Sequence, residues 1–130
     1  MNKKLLILGS VLGLLSVVLG AFGAHGLKDL IPVESIKTFE TGVRYQMYHG
    51  LLLLFVGSQN LIPYKAKTIL FYLVLIGVIF FSGSIYLLAT NSVTSFDFKT
   101  IGFITPIGGL LLIVGWLVLV LNFIKLKQNK

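Results

Sequence analysis

Two histidines are the residues of this 130-residue chain best equipped to do chemistry. His25 closes the string Gly20, Ala21, Phe22, Gly23, Ala24, and His49 closes the string Arg44, Tyr45, Gln46, Met47, Tyr48. An imidazole can move a proton near neutral pH, ligate a metal or hold a haem iron. Glu40, Arg44, Tyr45 and Gln46 precede His49 on the same stretch, so the candidate polar cluster is His25, Glu40, Arg44, Tyr45, Gln46 and His49. A metal site would draw on His25, His49 and either Glu40 or Asp29, although the two histidines lack the i, i+4 spacing that makes a ligand motif specific. A bis-histidine haem would need them on facing helices of a bundle. A proton relay or a small-ligand pocket is a third use. The plainest alternative is a pair of imidazoles hydrogen-bonded to backbone or to nearby Tyr, Gln and acidic groups. No cofactor is expected from these residues.

Other catalytic patterns are missing from the sequence. Without Cys there is no thiol nucleophile, iron–sulfur cluster or Cys-ligated metal. There is no H-E-x-x-H pair, the Gly9 and Gly13 spacing follows no strand, and the serines lie in apolar stretches with no base in register. The chain is not expected to be an enzyme.

The elements that must position these groups follow from composition. Hydrophobic residues make up 56% of the chain and charged residues 12%, against about 45–50% and about 25% in soluble domains. That excludes a soluble enzyme, a disordered tail and a disulfide scaffold. Four stretches, 5–27, 45–64, 68–96 and 100–124, contain no charged residue. Each reaches the roughly 20 residues that a helix needs to cross a bilayer. The expected fold is all-α, a single membrane domain over 1–130: a four-helix transmembrane bundle with spans at about 5–26, 45–62, 68–90 and 101–124. Lys3 and Lys4 before an apolar run imitate a secretory signal, but three more apolar blocks follow, which favours an uncleaved first span.

Charge sets the expected direction. Lys3, Lys4, Lys65, Lys67, Lys125, Lys127 and Lys130 lie on one side with no acid, whereas Lys28, Lys37, Arg44 and Lys99 on the other are matched by Asp29, Glu34, Glu40 and Asp97. The positive-inside rule puts both termini in the cytoplasm. The basic excess is scattered rather than striped, so nucleic acid is not an expected partner.

Local patterns refine the bundle. Gly9, Gly13, Ser16, Gly20 and Gly23 form one small-residue stripe, read as an internal packing face rather than a dimer face. Pro106 in span four predicts a kink or an irregular start. After Pro32, Ile36, Phe39, Val43 and Met47 recur at helical spacing, with Lys37, Glu40 and Arg44 on another face. A helix of about 33–60 follows, its first turns projecting outward or lying in the interface as an amphipathic extension into helix 2. Span one would then end where span two begins, which puts His25 and His49 at similar depth near the outer boundary.

Residues 20–27 (G-A-F-G-A-H-G-L) and 41–51 (T-G-V-R-Y-Q-M-Y-H-G-L) resemble two segments of a family of small bacterial inner-membrane proteins, the domain of unknown function 423 family. The resemblance extends over nearly the whole chain. It implies a four-span protein of the bacterial cytoplasmic membrane and marks Phe22, Gly23, His25, Gly26, Arg44, Tyr45, Gln46 and His49 as motif residues. It carries over no substrate, cofactor or catalytic role. The expected function is a non-enzymatic accessory or scaffold protein in contact with the lipid bilayer, with a membrane-protein partner or a second copy as the open possibilities. The alternatives are a small-solute transporter or channel, gated near Pro106, and a His-ligated metal or haem protein.

Overall fold

The computed structural model describes residues 1–93 and 97–127; Phe96 and Lys130, used above for span and charge, lie outside them. Four helices carry the chain, and no strand occurs among the described residues. Helix α1 is Asn2–His25 and α2 is Val33–Ser58. Helix α3 runs Tyr64–Ala89, with a π turn at Ile79–Gly83 inserted between its two α-helical parts. Helix α4 is Ile104–Ile124. Pro32 and Pro63 stand immediately before α2 and α3 in extended conformation (ψ 154° at both). A ring that fixes φ and lacks an N–H suits this place, because the first helical N–H groups have no partner inside the helix.

The same argument corrects one expectation. Pro106 is the third residue of α4. Its missing N–H falls among those the helix leaves unpaired, so it starts the helix rather than breaking it. A gate hinged on a discontinuous helix loses its basis.

Small residues set the two closest helix contacts. A Cβ added at Gly9 would lie 2.7 Å from the carbonyl oxygen of Gly50, and one at Gly50 would lie 3.0 Å from that of Gly9. Further along, Gly13 faces Met47, Gly20 faces Val43 and Gly23 faces the Phe39 ring. The glycines of the α1 stripe are therefore consumed by α2, in keeping with an internal packing face. Lipid gives no hydrophobic drive between helices, so close backbone approach and dispersion supply the attraction. Between α3 and α4, Gly77 accommodates Leu112, and Gly108 lies against the backbone of Phe80 and Phe81 in the π turn.

Three helices are long and apolar enough to cross a membrane: Asn2–His25, Tyr64–Ala89 and Ile104–Ile124. Their outer faces expose Leu14, Val17, Ile79, Leu110, Ile113 and Ile124, the surface expected of helices bathed in lipid. Helix α2 differs. Glu34, Lys37, Glu40 and Arg44 occupy its first half and Gln46 and His49 its middle, and only residues 51–56 form an apolar run. It is instead the central helix, packing on α1 and α3 and burying Phe39, Gln46, His49, Gly50, Leu52, Leu53 and Val56.

One end of the bundle is tied by a buried amine. The Lys67 ammonium donates to Asn2 Oδ1 at 2.8 Å and to the carbonyl of Gln59, which caps the end of α2. A cation near a helix C-terminus also meets the negative end of the helix dipole. Lys67→Met is expected to lower stability by about 2 kcal/mol, measured as thermal unfolding in detergent.

Candidate functional site

The polar residues singled out in the sequence occupy four separate settings. Antiparallel packing fixes their depth. Gly9 of α1 meets Gly50 of α2, and Gly23 meets Phe39. His49 is therefore level with the N-terminal half of α1, whereas His25 ends α1 beside the first turns of α2. The two imidazoles are separated by about three helical turns, roughly 18 Å. The expectation that they share a depth is corrected, and with it the metal and haem sites that need both. The physical reason lies in α2: its amphipathic first turns pack along the C-terminal third of α1, through Val43 at Gly20 and Phe39 at Gly23. That contact slides His49 toward the N-terminal half of α1. Among the described residues no group of three or more His, Cys, Asp or Glu is placed to hold a metal.

His25 is exposed at the end of α1. Glu40 and Arg44 face outward from α2, 4.0 Å apart and both about half exposed, and Arg44 also donates to the Thr41 hydroxyl at 3.1 Å. Exposed pairs of this kind contribute little stability.

Gln46 turns the other way. Its amide nitrogen donates to the Leu12 carbonyl of α1 at 3.0 Å, and its amide oxygen accepts from the Tyr86 hydroxyl of α3 at 2.6 Å. Ser16 donates to the same Leu12 carbonyl at 2.8 Å. One turn earlier on α2, the Gly42 carbonyl accepts from Ser82 of the π turn at 2.7 Å. One side chain thus joins three helices near mid-depth, where an unpaired amide would be expensive.

His49 faces α4. Trp116 donates its indole N–H to His49 Nε2 at 3.1 Å, which makes Nδ1 the protonated nitrogen, and Nδ1 donates to the Tyr45 carbonyl at 2.6 Å. Both ring nitrogens are engaged, and the one lone pair a metal could use points at an indole. The Tyr45 ring stacks on His49 at 6.3 Å and also meets Phe81 at 5.0 Å. A cleft of about 300 Å³ opens beside these rings, between α2, the π turn and α4.

Trp116, Tyr86, Ser82 and the Leu12 carbonyl were not among the sequence candidates. Trp116 had a signal. It is the single Trp, and it stands in the middle of an apolar span instead of at a membrane boundary, where Trp is enriched. An indole N–H at that depth needs a partner. The π turn had no comparable signal.

A helical bundle with lipid-facing outer surfaces, glycine-mediated contacts and an interior polar network defines a small multi-pass membrane protein of all-α architecture. More narrowly, the chain belongs to the family described as Protein of unknown function (DUF423), whose profile matches residues 19–109. It is 41% identical over 124 residues to a UPF0382 membrane protein of Staphylococcus saprophyticus, covering 95% of this chain and 99% of that one. It is 38% identical over 125 residues to the UPF0382 membrane protein YwdK of Bacillus subtilis (95% and 98% covered). It is 37% identical over 128 residues to a UPF0382 membrane protein of Haemophilus influenzae (98% and 99% covered). No solved structure matches. The family resemblance read from residues 20–27 and 41–51 is thereby established.

Proposed function

We propose that the protein is a non-enzymatic accessory or scaffold protein of the bacterial cytoplasmic membrane, crossing it four times with both termini inside. The observation that carries this reading is the state of the buried polar groups: among the described residues, no buried side-chain nitrogen or oxygen lacks a partner. Gln46, Ser82 and Tyr86 spend these hydrogen bonds on other helices, and His49 spends one of its two on Trp116 of α4, which is what a rigid helix-holding core requires. Leu5, Leu53, Val56, Leu70 and Val74 fill the other half of the interior, which speaks for a scaffold over a solute path through a single copy. The fourth crossing, by α2, is supported by its place at the centre of three apolar helices.

Two measurements test this. Affinity purification from native membranes followed by mass spectrometry is expected to return a stoichiometric membrane-protein partner or a second copy; turnover by the purified protein alone would count against it. The orientation is testable because the chain has no native Cys. Lys37→Cys is expected to react with an impermeant maleimide in intact cells, and Lys65→Cys only after permeabilisation. The reverse pattern would overturn the proposed direction.

A further inference from the structure

The Trp116 cleft is not absorbed by a scaffold role. It lies at mid-height of α4 and is bounded by Tyr45, His49, Phe81, Gly109, Ile113 and Trp116. Ile113 is 65% exposed and Trp116 45%, so the cleft opens sideways toward the lipid phase. One wall is the π turn, an insertion that recurs at functional sites. Gly109 leaves the space between the rings free: a Cβ there would sit in ordinary contact with Phe81, at 3.5 Å.

We propose that this cleft binds the head ring of an uncharged, lipid-soluble quinone carried on an isoprenoid tail. Access from lipid selects a molecule dissolved in the membrane. A volume of about 300 Å³ is at the small end of ligand pockets and suits a single substituted ring, with the tail leaving past Ile113. Four aromatic walls suit a planar group. One polar atom is left available. The indole N–H of Trp116 is already given to His49 Nε2, whereas the Tyr45 hydroxyl has no partner among the described residues. A hydroxyl donor without a lining cation selects a neutral acceptor, a carbonyl, over a carboxylate or phosphate, which would remain uncompensated at this depth. The proposal concerns binding alone and goes beyond the scaffold reading; it stands or falls separately from the topology and partner measurements above.

Trp116 is the only Trp, so its fluorescence reports on this cleft alone. The full chain in nanodiscs is titrated with decylubiquinone, a quinone that quenches indole emission. Saturable quenching is expected. Tyr45→Phe, which removes a hydroxyl with no protein partner, should weaken it about tenfold, the loss of one hydrogen bond. Gly109→Leu, which fills the space, should abolish the saturable part. Quenching of equal strength in wild type and Tyr45→Phe, linear or saturable, overturns the proposal. So does quenching by a brominated-chain phosphatidylglycerol that decylubiquinone fails to displace, which would assign the cleft to a lipid tail.

Discussion

Gly108→Ala is expected to lower the stability of the folded bundle by about 3 kcal/mol, at the upper end for overpacking a tight contact. The added methyl would lie 2.3 Å from the backbone nitrogen of Phe81 and 2.7 Å from the carbonyl carbon of Phe80. A flexible side chain could swing aside, but these are main-chain atoms of the π turn. Either α4 or the turn must retreat, which also separates the Ser84 and Thr105 hydroxyls now 2.5 Å apart. Gly83→Ala is the matched control. It lies in the same π turn, with nothing within 4 Å of its added Cβ. Thermal or SDS-driven unfolding in mixed micelles should place Gly83→Ala near wild type and Gly108→Ala far below it. Equal stability of the two would mean that α4 does not seat on the π turn.

Gln46→Ala is expected to have the next largest effect, a loss of about 2–3 kcal/mol. The truncation removes both inter-helix hydrogen bonds, leaves the half-buried Tyr86 hydroxyl without its Gln46 acceptor and opens a void beside Leu12. Tyr86→Phe removes one of those bonds and no volume to speak of, so about 1 kcal/mol is expected, in line with hydrogen bonds measured within membranes. The double variant should fall short of the sum, because the two groups share a bond. Strict additivity would show that Gln46 and Tyr86 act independently.

Much of the fold was legible in the sequence because lipid leaves few options. Charge-free runs long enough to cross, prolines at helix starts and a glycine stripe each have one physical use, and α1, α3, α4 and the α1–α2 seam follow from them. The depth of the site was harder to read. Ile36, Phe39, Val43 and Met47 correctly mark an amphipathic face, but periodicity does not say what covers it. An interface and the small-residue stripe of α1 satisfy it equally well. The stripe does so here, through Gly20 against Val43 and Gly23 against Phe39, and His49 moves away from His25 as a result. Hydrogen-bond partners were illegible for a related reason. The Leu12 and Gly42 carbonyls become acceptors only once helices are stacked in register, and no residue type marks them. The π turn depends on Gly108 of a different helix for its fit, so no local pattern announces it.

The polarity of α2 bears on how the chain reaches the bilayer. A segment holding Arg44, Gln46 and His49 within one and a half turns partitions poorly by itself from the translocon into lipid. The Gln46 amide becomes tolerable only beside the Leu12 carbonyl of its predecessor, which has already been synthesised, while Nδ1 of His49 is satisfied within its own helix by the Tyr45 carbonyl. Biogenesis by way of a helical hairpin, the first two segments released sideways as a pair, is the route this chemistry favours, and the short turn at Pro32 is well suited to form it.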